Sequence, residues 1–213
     1  MATYKKLRGQ RDLRAAKDAF HALFRNGLSC DQPVLHPGIG VILWDIRNEL
    51  TERQYRVLTD AATAEGDTEA YVSFLGGYQG AETSSDEVPP DFELADHLRF
   101  DLELYPPRDF GGDWWRVIEH VIYSPQGTWG LMTSLELHGI AVGSAAFRSR
   151  LLASPLFADS LRRFLDYCKD GRDRIHGRTS WVPALLDNVY GVGPAERILA
   201  DFGEPRETWF RND

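Results

Sequence analysis

Over residues 97–105 apolar and polar side chains alternate without a break. Leu98, Phe100, Leu102 and Leu104 fall on one side, His97, Arg99, Asp101, Glu103 and Tyr105 on the other. A period of two is that of a strand with one buried face, which belongs to an antiparallel or mixed sheet rather than an all-parallel one. Pro106 and Pro107 end it. Residues 129–152 change period part-way. Leu135 and Leu137 oppose Ser134, Glu136 and His138 in strand fashion. Gly139 and Gly143 then bracket the apolar run Ile140-Ala141-Val142. Ser144 is placed to cap a helix that turns Phe147, Leu151 and Leu152 inward. Residues 38–46 form an almost continuous apolar run of strand length, which predicts a central strand buried on both faces. Residues 70–75 read as a further strand, and residues 114–123 are rich enough in aromatic and β-branched side chains to be another. The turn Ser124-Pro125-Gln126-Gly127 leads into Trp129, so the strands at 97–105, 114–123 and 129 onward are expected to form a meander.

Helical spacing appears at both ends. Leu13, Ala16, Phe20, Leu23 and Phe24 share a face over residues 9–26, and Gly27 is placed to stop that helix. Thr51-Glu52-Arg53-Gln54 is a capping box, with Leu50 set to staple onto Tyr55, and it opens a helix at about 51–65 that buries Tyr55, Leu58, Ala61 and Ala62 before Gly66. Further on, Ser154 and Pro155 are expected to start a helix with the stripe Phe157, Leu161, Phe164, Leu165 and Cys168. A polar link over 169–178 and a helical region over 181–202, broken at Gly191, complete the chain. The pattern predicts one α+β domain over residues 1–213. It has a mixed or mainly antiparallel sheet, an N-terminal helix, the helix at about 51–65, and C-terminal helices from about 154 packed on the sheet.

Composition adds three things. With 43% hydrophobic and 12% aromatic residues over 213 positions, the chain can build a core. It has no signal-like start and no long apolar run, so a cytoplasmic location without membrane contact is expected. Two distant cysteines, Cys30 and Cys168, with no CxxC, fit buried thiols in a reducing compartment. The third concerns charge. Between Arg56 and Arg99 there is no Lys or Arg, while Asp60, Glu65, Asp67, Glu69, Glu82, Asp86, Glu87, Asp91, Glu93 and Asp96 contribute −10 to a total of −8. Such a field opposes nucleic-acid phosphates and attracts basic surfaces.

Four features invite a chemical reading. If strands 97–105 and 133–138 were neighbours, His97, Asp101 and Glu103 would share a polar face with Glu136 and His138. That set suits a metal or acid–base chemistry, although an alternating solvated face has the same letters and no HExxH or HxH spacing is present. Ser134 and Ser144 lack a nucleophile elbow, and Gly38-x-Gly40 precedes a strand where a dinucleotide fingerprint follows one. Gly191-Val192-Gly193-Pro194 resembles the turn of a helix-hairpin-helix DNA-binding motif. Arg197, Ala200 and Asp201 depart from that motif, and a glycine turn before a proline-opened helix accounts for the same letters. The acidic stretch is either a solvated face or a docking surface. As a docking surface, Tyr78 and Phe92 are the anchors, and Glu82, Asp86, Glu87, Asp91, Glu93 and Asp96 the steering charges, for a basic protein partner. The docking reading needs no catalytic residue, metal or cofactor.

Trp129-Gly130-Leu131, Ser134, Glu136, Ile140-Ala141-Val142-Gly143-Ser144 and Phe147 together resemble a segment of bacterial immunity proteins from polymorphic toxin systems, including SMI1/KNR4-like ones. The resemblance spans about residues 129–147. It implies a small α+β cytoplasmic protein that neutralises a toxin domain by binding it. The reading from another class is a small enzyme built on the His97, Asp101, Glu136 and His138 face.

Overall fold

The computed structural model describes residues 5–25, 35–36, 39–45, 51–74, 97–103, 120–133, 138–175 and 178–210. Seven strands, β1 Lys5–Lys6, β2 Val41–Asp45, β3 Glu69–Phe74, β4 His97–Asp101, β5 His120–Tyr123, β6 Trp129–Thr133 and β7 His138–Gly143, form one sheet in the order β1-β4-β3-β5-β6-β7-β2. Every pairing is antiparallel. The helices are α1 Gln10–Leu23, α2 Glu52–Ala64, α3 Ala145–Ala153, α4 Ser160–Ile175, α5 Trp181–Tyr190 and α6 Val192–Phe202. A 3₁₀ turn follows at Arg206–Phe210. This is the expected α+β class with helices at both ends of the chain.

Helices cover both faces of the sheet, giving two cores. On one side Leu43, Tyr71, Val121, Tyr123, Met132, Ile140 and Val142 pack with Phe20 and Leu23 of α1 and with Phe164, Leu186 and Leu199 of the C-terminal helices. On the other, Ile42, Trp44, Val72, Phe100, Ile122, Trp129, Leu131 and Ala141 meet Tyr55, Leu58, Phe147 and Leu151 of α2 and α3. The parity of each strand decides which core a residue joins. In β6, Trp129 and Leu131 point to α2 and α3, while Met132 points to the α1 side. Gly130 lies between these positions because α1 approaches closely: a Cβ there would sit 2.7 Å from the Phe24 ring.

Four expectations change. The apolar run at 38–46 is the outermost strand, β2, rather than a central one. It is nonetheless buried on both faces, since Leu43 and Trp44 are fully covered and enter opposite cores. Its open edge is sealed by side chains: Ser160 Oγ donates to Leu43 O at 3.1 Å, and Leu43 N donates to Tyr190 Oη at 3.1 Å. Apolar content therefore reported burial, not position in the sheet. The meander is displaced by one strand. β3 lies between β4 and β5, so the consecutive antiparallel strands are β5, β6 and β7. A helix does not start at Ser154, because residues 154–159 are turns and Asp159 has φ of 57°, which no helix accommodates. Phe157 consequently leaves the α4 stripe and packs on Trp44 in the other core, with ring centroids 4.3 Å apart. α4 continues to Ile175 through much of the predicted polar link. Last, Leu152 is 46% exposed, whereas Phe147 and Leu151 are buried as predicted.

Local signals fared better. Thr51 and Gln54 form both bonds of the capping box, and Ser144 Oγ accepts from Phe147 N at 3.0 Å. Gly66, at φ of 97°, follows α2 where a left-handed residue is needed. In the alternating strand Phe100 and Leu102 are buried and Asp101 and Glu103 exposed, although the chain leaves the sheet after Asp101. Leu98 and Leu104 carry no described side chain. Cys168 is a buried reduced cysteine, and Cys30 lies outside the described residues.

Candidate functional site

The pairing register sorts the connections onto two ends of the sheet. At one end stand Asp45 and His138, paired across β2 and β7, with Thr133, His120, Phe74 and His97 in the neighbouring strands. At the other stand Val41, Gly143, Trp129, Tyr123, Glu69 and Asp101. Five connections begin or end at the first: residues 7–9 after Lys6, 46–50 after Asp45, 75–96 between Phe74 and His97, 104–119 before His120, and 134–137 between Thr133 and His138. Together they contain eleven carboxylates and four arginines, a net −7 of the chain's −8. The rest of the protein, with 20 basic and 21 acidic residues, is nearly neutral. The candidate site is this sheet end, where the connections that carry the charge are attached.

All eight residues read as partner-binding, Tyr78, Glu82, Asp86, Glu87, Asp91, Phe92, Glu93 and Asp96, belong to the connection 75–96 and lie outside the described residues. Its two anchors are described. Ser73 faces His97 across the β3–β4 pair, so the segment leaves and re-enters the sheet at adjacent strands. At the first anchor, Ser73 Oγ and Tyr123 Oη share a buried hydrogen bond of 2.8 Å. Burial pushes the Tyr123 phenol above its ordinary value, against the opposing effect of the Ser73 bond. His120, half-buried, is locked to its cross-strand neighbour: Thr133 Oγ1 lies 3.0 Å from Nδ1 and 3.2 Å from the His120 carbonyl. Pattern reading passed over that pair because the partner lies thirteen residues away.

The acidic run itself divides. Four of its ten carboxylates are described, and three of these have internal partners. Asp67 is buried and accepts from Trp129 Nε1 at 2.7 Å and from Gln126 Nε2 at 2.9 Å. Glu65 accepts from Ser144 Oγ at 2.9 Å and pairs with Arg150 at 3.4 Å. Glu69 is bound to Arg99. Only Asp60 on α2 is exposed without such a tie. These four belong to α2 and to its return to β3, away from the acidic end, so the field of the stretch narrows to residues 82–96.

The proposed His/Asp/Glu face is not assembled. Strands β3, β5 and β6 separate β4 from β7, and Asp101 is at the opposite end of the sheet from His138. His138 is 1% exposed, packed 5.8 Å from the rings of both Phe164 and Trp181. Alternation placed it on a solvated face, but in this sheet both faces are covered, so the polar position is as buried as the apolar ones. Glu136 and the His97 side chain lie outside the description. Among the described residues no three His, Cys, Asp or Glu side chains converge as a metal site would require. Ser144 is a helix cap bonded to Glu65 and Phe147, and Gly191 joins α5 to α6 with φ of 85°. No helix among the described residues is long and apolar enough to cross a membrane. No protein-family model, characterised relative or solved structure is similar to the chain.

Proposed function

We propose that the chain is a non-enzymatic binding protein that engages a basic protein surface through the acidic end of its sheet. The observation that carries this reading is that five connections attached to that end hold −7 of the chain's −8 charge. Long connections held on a rigid sheet are where recognition is commonly built. In this reading the carboxylates of these connections steer a cationic partner toward the site, and Tyr78 and Phe92 within residues 75–96 supply anchors for a desolvated contact. The short resemblance over residues 129–147 adds the partner class: a toxin domain, which the chain neutralises as an immunity protein in the bacterial cytoplasm. No cofactor, metal or nucleic acid enters the reading.

The test begins with the protein recovered by pull-down from the native host, and with the product of the adjacent gene. Wild type is compared with a variant carrying Glu82→Gln, Asp86→Asn, Glu87→Gln and Asp91→Asn. The association rate of the wild type is expected to fall as salt rises, because exposed charges are screened over ~8 Å at ~0.15 M. The variant should be slower at low salt and nearly insensitive to it, with dissociation little changed. An acidic partner, or equal association rates at both salts, defeats the reading.

A further inference from the structure

We infer that a cleft at the opposite end of the sheet binds a small organic oxyanion, a phosphate ester or a carboxylate, between Arg25 and Arg148. The cleft holds about 660 Å³ and is formed where the end of α1, the start of β2, α3 and the end of α5 meet. That volume is within the range of small-molecule sites. Its walls combine apolar side chains, among them Leu35, Ile39 and Val189, with convergent cationic and polar groups.

The balance of charge in the lining selects an anion. Among the described residues neither Arg25 nor Arg148 has a carboxylate partner, in contrast to Arg150, which pairs with Glu65, and Arg206, which pairs with Asp187. Among the described residues Asp187 is the one carboxylate lining the cleft, and both of its oxygens accept from Arg206, at 2.6 and 3.0 Å. Among these residues the cleft therefore presents two guanidinium groups without a carboxylate partner, in a chain whose net charge is −8. Planar guanidinium groups match the paired oxygens of phosphate and carboxylate.

Arg148 is also held in place. It is half-buried, its Nε donates to Gly143 O at 3.3 Å, and its guanidinium lies against Gly40, where a Cβ would sit 2.0 Å from Cζ. The missing side chain at Gly40 gives the charged group its position at the cleft wall. Tyr190 and His36 complete the polar lining. Leu43 N donates to Tyr190 Oη, which leaves the phenol proton for another acceptor. Burial pushes that phenol up to about 12, the Leu43 bond acting against it, so it is a donor at neutral pH. His36 Nε2 lies 2.8 Å from His21 O, which orients the ring at the cleft margin. An oxyanion facing the two arginines with its organic body over Ile39 and Val189 uses every part of this lining.

This inference is independent of the acidic end, and its test keeps the two apart. Binding of phenyl phosphate and of benzoate to the full chain is measured by titration calorimetry at neutral pH and low salt, with a short DNA duplex as a third probe. One saturable site for phenyl phosphate or benzoate is expected, and the tighter of the two identifies the ligand as phosphate ester or carboxylate. Arg148→Gln and Arg25→Gln should each weaken it roughly tenfold or more, as loss of a charge-assisted contact does. Arg25 is exposed, so its variant decides the matter if Arg148→Gln fails to fold. The variant neutralised at Glu82, Asp86, Glu87 and Asp91 should bind the same probe as well as the wild type does. Absence of saturable binding by both small anions, binding unaffected by either arginine substitution, or binding of the duplex alone overturns the inference.

Discussion

The two ends of the sheet differ in how the carboxylates attached to them are balanced. At the Trp129 end, carboxylates are internal fittings: Asp67 holds the Trp129 indole and the Gln126 amide, Glu65 ties α2 to the cap of α3, and Glu69 ties β3 to β4. At the His138 end, the five attached connections hold eleven carboxylates against four arginines. A carboxylate with a preorganised donor contributes to stability, whereas one without contributes to the field around the molecule. On the proposed function, stability and recognition fall to separate ends, and altering one is expected to have little effect on the other.

The largest expected effect is at the Trp129 end. Phe147 is fully buried and stacks on Trp129 with centroids 5.6 Å apart. Phe147→Ala should cost about 3–5 kcal/mol in urea denaturation, because little around it is free to collapse into the cavity. A loss below 1 kcal/mol would mean that this end is not the rigid part of the protein. Asp67→Ala comes next, at about 2–3 kcal/mol, since it strands the buried indole N–H without an acceptor. Asp67→Asn, which keeps an acceptor oxygen, should lose less, and equal losses would show that the carboxylate does no more than fill space.

A tied carboxylate outside either end gives the pH signature of such groups. Glu204 pairs with Lys169 at 2.5 Å and with the buried Arg172 at 3.2 Å. Burial raises its carboxyl, but hydrogen bonds from Lys169, Thr208 and Arg172 outweigh that and hold it below the ordinary value. A group depressed on folding adds stability above its unfolded pKa, ~4.3 for glutamate, and loses it as pH falls through the folded value. Glu204→Gln should therefore cost about 1–2 kcal/mol at neutral pH, and the difference from wild type should shrink below about pH 4. A difference that stays constant into acid would assign the loss to packing. Smallest in stability is the fourfold neutralisation of Glu82, Asp86, Glu87 and Asp91, which on the proposed function is expected to leave stability within ~0.5 kcal/mol of wild type. A cost comparable to that of Asp67→Ala would mean that the His138 end is also internally tied, and the contrast between the ends would disappear.

Periodicity and punctuation were legible wherever the responsible physics is local. The capping box at Thr51, the cap at Ser144, the stop at Gly66 and the hairpin after Ser124 each depend on residues within about one turn of one another, and each stands where the pattern puts it. The site was legible in composition, as a stretch without a cation. Which of its carboxylates are engaged was not, because their partners come from elsewhere in the chain: Trp129 is 62 residues from Asp67, and Ser144 is 79 from Glu65. The cationic cleft left no signal at all. Arg25 and Arg148 are unremarkable in one dimension and meet only because α1 and α3 converge on the start of β2.

The sequence by itself determined the class of fold, the periods of its elements, the ends of its best-capped helices, and the sign and rough location of the charge, since all of these depend on short-range geometry or on simple counts. Only the tertiary structure decided strand order, and strand order decided the rest. It put β2 at an edge that Ser160 and Tyr190 then seal, and inserted β3 between β4 and β5. It also kept Asp101 away from His138 and attached five connections at one end. An alternating strand states that one of its faces is apolar. It does not state which strand lies beside it or whether a helix covers the other face, because those are set by long-range packing of many weak contacts at once.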